Sequence, residues 1–125
     1  MERITNLPEW WERAKPALED MARASNGRES LETIRGALID GRNQLWHEKG
    51  AFALTAIDDH PTGLVTFSFL GLVGRDREAW LGVLDEMLDW AREQGCTMVQ
   101  TLARPGWKRV LKDWEMTHVF LEREI

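Results

Sequence analysis

The amino-acid sequence predicts an α/β fold in which an antiparallel meander of strands leads into a parallel strand–helix–strand unit. Three observations carry this expectation. Two amphipathic helical segments come first, strand-like runs over residues 43–70 are separated only by short turns, and a helical period over 76–94 is followed by a short strand-like run at 97–102. A long helix between two strands is the connection that parallel pairing needs, and such crossovers are right-handed. The expected sheet is therefore mixed and flanked by about four helices, all within a single domain spanning residues 1–125.

Each element has a local reason. Pro8 suits a first helical turn, where its missing N–H costs nothing, and Asn6 or Leu7 takes the cap before it. Trp11, Ala14, Leu18, Met21 and Ala22 then recur at helical spacing, which gives a helix over 8–24. Pro16 inside that stretch is expected to kink or split it. Trp10 and Trp11 are adjacent and cannot both face the core, so one of them is expected at the surface. Leu31, Ile34, Ala37 and Leu38 make a second helix that Gly41 ends. Residues 43–48 and 51–57 are strand-like and separated by Lys49-Gly50, a hairpin turn. Asp58, Asp59 and His60 open a second turn running to Gly63, and a strand follows over 64–70. A loop from Gly71 to Asp76 precedes the helix, with Asp76 as its N-cap. After the strand at 97–102, Pro105 opens a short helix, and His118, Val119, Phe120 and Leu121 read as a last strand. Glu2 to Thr5 is a further edge strand. The expected core is Leu64, Phe67, Phe69, Leu81, Leu84, Leu88, Val99 and Leu111, with the strand pair 64–70 and 97–102 parallel.

Composition excludes several functions. With 16 Lys+Arg against 21 Asp+Glu the formal net charge is −5, which repels nucleic-acid backbones over most of the surface. No apolar run approaches the roughly 20 residues that cross a bilayer, and the first 20 residues carry too many charges for a secretory signal. A cytoplasmic protein with no membrane contact is expected. The lone cysteine, Cys96, can form no internal disulfide and no zinc site by itself, which fits a reducing compartment. Seven Trp accompany four Phe and no Tyr.

The element order, the strand–loop–helix at 64–94, the strand at 97–102 and the segment from Arg104 through Pro105, Gly106, Trp107 and on to Met116 together resemble the GNAT superfamily of N-acetyltransferases. The Arg-Pro-Gly-Trp opening is similar to small acetyltransferase-like proteins encoded by bacteriophages. This resemblance covers nearly the whole chain. It implies acetyl-CoA as the acyl donor, lodged where the fourth and fifth strands splay apart. The residues it assigns to CoA are Phe69, Leu70, Gly71, Leu72, Val73, Gly74, Arg75, Asp76, Arg77 and Glu78. Glycines there let backbone N–H groups approach a pyrophosphate, and the helix that begins there adds its positive end. Aligning the family's Arg/Gln-x-x-Gly-x-Gly/Ala pattern on Arg75 puts Glu78 and Trp80 where small residues belong, and the family's Tyr general acid has Arg109 or Val110 near its position.

For a general base the sequence offers Asp58, Asp59 and His60, and Cys96 as a substitute acid; each also has a structural reading, as turn residues or as a small core hydrophobe. Two functions follow. One is transfer of acetyl from acetyl-CoA to a small amine or a protein amine. The other is an inactive binding or structural module on the same scaffold, such as a phage virion or assembly component, whose partners are proteins. An oligomer is compatible with either.

Overall fold

The computed structural model describes residues 1–125 except 75, 76 and 104, and except the side chains of Arg77 and Pro105. In chain order it contains β1 (Glu2–Arg3), α1 (Leu7–Ala24), α2 (Leu31–Ile39), β2 (Asn43–Glu48), β3 (Ala51–Asp59), β4 (Val65–Val73), α3 (Arg77–Glu93), β5 (Met98–Thr101) and a 3-10 turn at Pro105–Arg109. The strands form one mixed sheet in the order β1-β2-β3-β4-β5, antiparallel up to β4 and parallel between β4 and β5. This is the expected architecture, with the 3-10 turn standing in for a fourth helix.

Local chemistry explains the helices. Asn6 Oδ1 accepts from the Glu9 amide to cap α1, and Ser30 and Thr33 form a reciprocal capping box on α2. Pro16 does not split α1. It sits on the exposed side, so the carbonyl it frees one turn earlier, on exposed Glu12, faces water, while buried Ala14, Ala17, Leu18 and Met21 hold the helix to the sheet. Trp10 and Trp11 are both half-buried, against the expectation that one is exposed. An arginine lies over each: Arg13 is 3.7 Å from the Trp10 ring and Arg35 is 4.7 Å from Trp11.

The core has two layers. On one face, α3 presses Trp80, Val83, Met87 and Ala91 onto Trp46, Ala53, Phe67 and Phe69; on the other, α1 and α2 cover Leu45, Phe52 and Leu54. Phe67, Phe69 and Leu111 are buried as expected. Leu64, Leu84, Leu88 and Val99 are only half-buried, and Leu81 is 36% exposed. The apolar stripe of α3 is broad, and the helix is turned so that the 80/83/87/91 line meets the sheet while the leucines flank it.

Three boundaries differ from the sequence reading. Asp58 and Asp59 belong to β3, opposite Thr66 and Val65, so the turn begins only at His60. Gly71, Leu72 and Val73 continue β4 rather than forming a loop. The expected strand at His118–Leu121 is not formed: residues 115–125 are exposed and carry no strand, although their alternation is strand-like.

Candidate functional site

β4 changes character midway. Val65 to Phe69 alternate β-branched, polar and aromatic residues, and strands flank them on both sides: Thr66 to Phe69 pair with Met98 to Thr101 of β5, and with β3 across the other edge. Thr101 closes that stretch, its hydroxyl donating to the Phe69 carbonyl at 3.1 Å. Among the described residues, β5 has no further partners for β4 beyond Phe69, whereas β3 still pairs with Gly71, Leu72 and Val73. The parallel strands thus separate and leave the β5-facing side of residues 70–73 without a strand partner.

A bulge lies at the parting point. Leu54 pairs with Gly71 and Thr55 with Phe69, so Leu70 is the extra residue on β4, and its side chain is 51% exposed. One added residue inverts the alternation: Phe67 and Phe69 face α3, but after the bulge it is Leu72 that packs there while Gly71 and Val73 face α1. At Gly71 α1 lies against β4 through Met21. A Cβ there would sit 2.7 Å from Met21 Cγ and Sδ, so a larger residue requires the Met21 side chain to move. Between them lies a shallow depression of about 130 Å³, lined by Asp20, Met21, Ala24, Ser25 and Leu70 to Val73.

On the same face, one step back along β4, lies a chain of polar side chains. Ser68 Oγ donates to Asp58 Oδ2 at 3.0 Å and accepts from Gln100 Nε2 at 3.0 Å. His60 Nε2 lies 3.0 Å from Thr66 Oγ1. Ser68 and Thr66 are buried, while Asp58 and Gln100 are exposed, so the chain runs from solvent to the strand beside the splay. A hydroxyl has one proton to give and two lone pairs; with Asp58 and Gln100 satisfied, Ser68 keeps one lone pair.

The four proton-transfer candidates separate accordingly. Asp58 reaches Ser68, two residues before the bulge. Asp59 points to the α3 side, where its charge acts on Cys96, and His60 stays at the start of β4. At about 3.3 Å per residue, Val65 and Thr66 lie roughly 13–16 Å from the bulge. Cys96 is buried in the α3-side core at that remote end; burial first, and the Asp59 charge second, push its thiol above the usual cysteine value. It behaves as a small core hydrophobe. Ser68 and Gln100 were not identified from the sequence, where only their alternation with Phe67, Phe69 and Val99 marks them.

Of the residues assigned to CoA by resemblance, Leu70 to Val73 form the splayed stretch, and Phe69, the last residue paired to β5, is buried at its start. Gly74 follows at φ +101, and a Cβ there would meet the Ala51 Cα at 2.9 Å. Arg75, Asp76 and the side chain of Arg77 lie outside the described residues, so the expected N-cap and cation pair fall there too. Glu78 is exposed in the first turn of α3, and Trp80, at the end of that turn, is buried against the sheet.

A second depression, of about 360 Å³, is at the other edge of the sheet between Arg3, Leu38, Gln44, Trp90 and Gln94, and among the described residues no Asp, Glu, His or Cys lines it. Among the described residues no three His, Cys, Asp or Glu side chains gather to hold a metal, and no helix is long and apolar enough to cross a membrane.

No protein-family model matches the chain, and no curated protein matches it in sequence. Solved structures match over almost its full length. A predicted acetyltransferase from Clostridium acetobutylicum, solved with acetyl-CoA, superposes with a TM-score of 0.67 at 16% identity, covering 98% of this chain and 94% of that one. A ribosomal-protein-alanine N-acetyltransferase from Brucella melitensis biovar Abortus 2308 gives 0.65 at 14% identity, covering 100% and 99%. The TTHA1254 protein of Thermus thermophilus gives 0.60 at 21% identity, covering 100% and 97%. At such identities the likeness is one of fold: the chain has the GNAT fold, and acetyltransferases are among the structures that share it.

Proposed function

We propose that the protein is an acyltransferase that moves an acetyl group from acetyl-CoA to an amine, with the acyl donor on the open half of β4. The observation that carries this reading is the splay itself. A strand whose backbone loses its neighbour at a bulge offers N–H and C=O groups at the spacing of an extended amide chain, which is what a pantetheine arm presents. The neighbouring structure solved with acetyl-CoA supports that donor class. Bound acetyl-CoA supplies an activated thioester: the amine nitrogen bonds to the acetyl carbon as the C–S bond breaks.

The chain's own part is to hold the donor and take a proton. Asp58, alone or through the free lone pair of Ser68, accepts the proton that the attacking amine loses, while Gln100 fixes the Ser68 hydroxyl. The chain has no Tyr to protonate the departing sulfur. A thiol of pKa about 8.5 leaves as a thiolate far more readily than an alcohol leaves as an alkoxide, so water can complete the proton balance.

Calorimetry and thermal shift with acetyl-CoA test donor binding; at 100 times the Kd the expected gain is about 2.7 kcal/mol. Release of free CoA thiol with a panel of small amines and peptides tests transfer. A well-folded protein with no shift at about 1 mM acetyl-CoA would sink the reading. That result would favour a binding module on the same scaffold, for which Glu78 is the supporting observation, since a carboxylate in the first turn of α3 competes for the N–H donors that a phosphate needs.

A further inference from the structure

We propose that the turn between α1 and α2 is a carboxylate-binding subsite, held shut by the chain's own Glu122, and that it selects acceptor amines bearing a carboxylate; the acceptor role rests on the transferase reading above. The two oxygens of Glu122 are taken separately. Asn26 Nδ2 donates to Oε2 at 3.0 Å, and Arg28 makes an ion pair with Oε1. This is two-point recognition of one planar carboxylate. The donors are organised by the turn: Ser25 Oγ bonds the Ala22 carbonyl at 2.6 Å and the Glu29 amide at 2.9 Å, Asn26 sits at φ +55, and Arg28 Nη1 donates to the Asn26 carbonyl at 3.0 Å. The neighbouring Glu29 carboxylate is occupied by the Thr33 hydroxyl.

Position links this turn to the splay. Ser25 lines the depression on the open half of β4, and Arg28, three residues on, is within about 11 Å of it along the chain. The segment that supplies Glu122 has an unusual path. Trp114 packs on the α3 side of the sheet, whereas Phe120 and Glu122 meet Arg28 and Asn26 on the α1/α2 side, with Arg28 5.5 Å from the Phe120 ring. Residues 115–121 therefore cross from one face of the sheet to the other while remaining exposed. Arg28 and Glu122 stay 52% and 39% exposed. An exposed ion pair shifts an equilibrium by no more than about fivefold, so an incoming carboxylate can replace Glu122. The surplus of negative charge on the chain argues against a doubly charged phosphate as the preferred ligand.

The test titrates N-acetylglycine into the isotopically labelled full chain and follows the Asn26 side-chain amide by NMR. Saturable shifts are expected, about two- to fivefold tighter in Glu122→Gln, where the internal competitor is gone, and absent in Arg28→Ala. Equal affinity in all three proteins, or tighter binding of inorganic phosphate than of N-acetylglycine, overturns the subsite. The acceptor role is read separately, from acetylation of an amino acid, its carboxamide and an acidic peptide. Preference for the carboxylates that vanishes in Arg28→Ala supports it, the peptide distinguishing a side-chain carboxylate from a free amino acid. Equal use of amino acid and carboxamide overturns it. If no amine is acetylated while the titration behaves as expected, the transferase reading and the acceptor role fail together and the carboxylate subsite stands.

Discussion

The two halves of β4 are one strand built to two standards. Thr66 to Phe69 have a strand on each side and a hydrophobic layer against α3; Leu70 to Val73 have a strand on one side, a bulge at the junction and α1 pressed against a glycine. The first half is over-determined, since pairing, packing and alternation agree. In the second, one edge of the backbone is left over, and a leftover edge in a helix-covered sheet is either a liability or a binding site. The contrast teaches that the open edge of β4 comes from ending β5 early rather than from adding any special residue.

The sharpest break of the comparison is Phe67→Ala against Leu70→Ala. Phe67 is fully buried among Trp46, Phe69 and Trp90, so its truncation is expected to cost about 3–5 kcal/mol in denaturant unfolding. Leu70→Ala, half-exposed on the bulge, is expected to cost under about 1 kcal/mol while weakening acetyl-CoA binding. Equal costs would mean that the two halves are not distinct. Next comes Asp58→Asn, expected to lower the transfer rate about 100-fold or more with little change in melting temperature or in acetyl-CoA affinity. A rate unchanged by that substitution removes Asp58 from proton transfer. Gly71→Val follows: with Met21 2.7 Å away, about 1–3 kcal/mol of strain is expected, and truncating Met21 to Ala in the same chain should recover part of it. Additive costs would show that the close approach of α1 is not what requires the glycine.

The sequence made the closed half legible and left the open half largely unread. Phe67 and Phe69 announce themselves by period two, and the length of the α3 pattern requires the parallel neighbour. The bulge at Leu70 has no such signature, because Phe-Leu-Gly-Leu-Val reads equally as the end of a strand or the start of a loop, and the glycine tipped the reading toward loop. Asp58 and Asp59 read as turn formers for the same reason: their residue type favours turns, while ladder pairing with Thr66 and Val65 overrides it. At His118–Leu121 the pattern is strand-like, but strand formation needs an edge to pair with, and the segment instead runs to Asn26 and Arg28. The Ser68–Asp58–Gln100 chain joins three strands, and no local pattern reports contacts between residues 10 and 32 positions apart.

The smallest expected effect is a pH dependence at the open end. His47 of β2 pairs with Phe52, which pairs in turn with Val73, the last residue of the open half. Its ring lies 4.5 Å from Trp10 and 4.9 Å from Phe52, and Nε2 accepts the Gly50 amide at 3.1 Å, so the neutral ring with its proton on Nδ1 is the form that fits. Burial, reinforced by the Arg13 charge, holds the His47 pKa below the ordinary histidine value. Above that ordinary value of about 6.5 the ring is neutral whether the chain is folded or not, and it adds no pH dependence. As pH falls through 6.5 the unfolded chain takes up the proton first, so stability declines until the folded pKa is passed. Urea unfolding at pH 7.5 and 5.5 should therefore show a larger loss for wild type than for His47→Gln, which cannot titrate. Equal losses would place the pH sensitivity of this corner elsewhere. If the acetyl-CoA affinity of wild type fell in the same window while that of His47→Gln did not, the open half of β4 would be coupled through Phe52 to the hairpin that supports it.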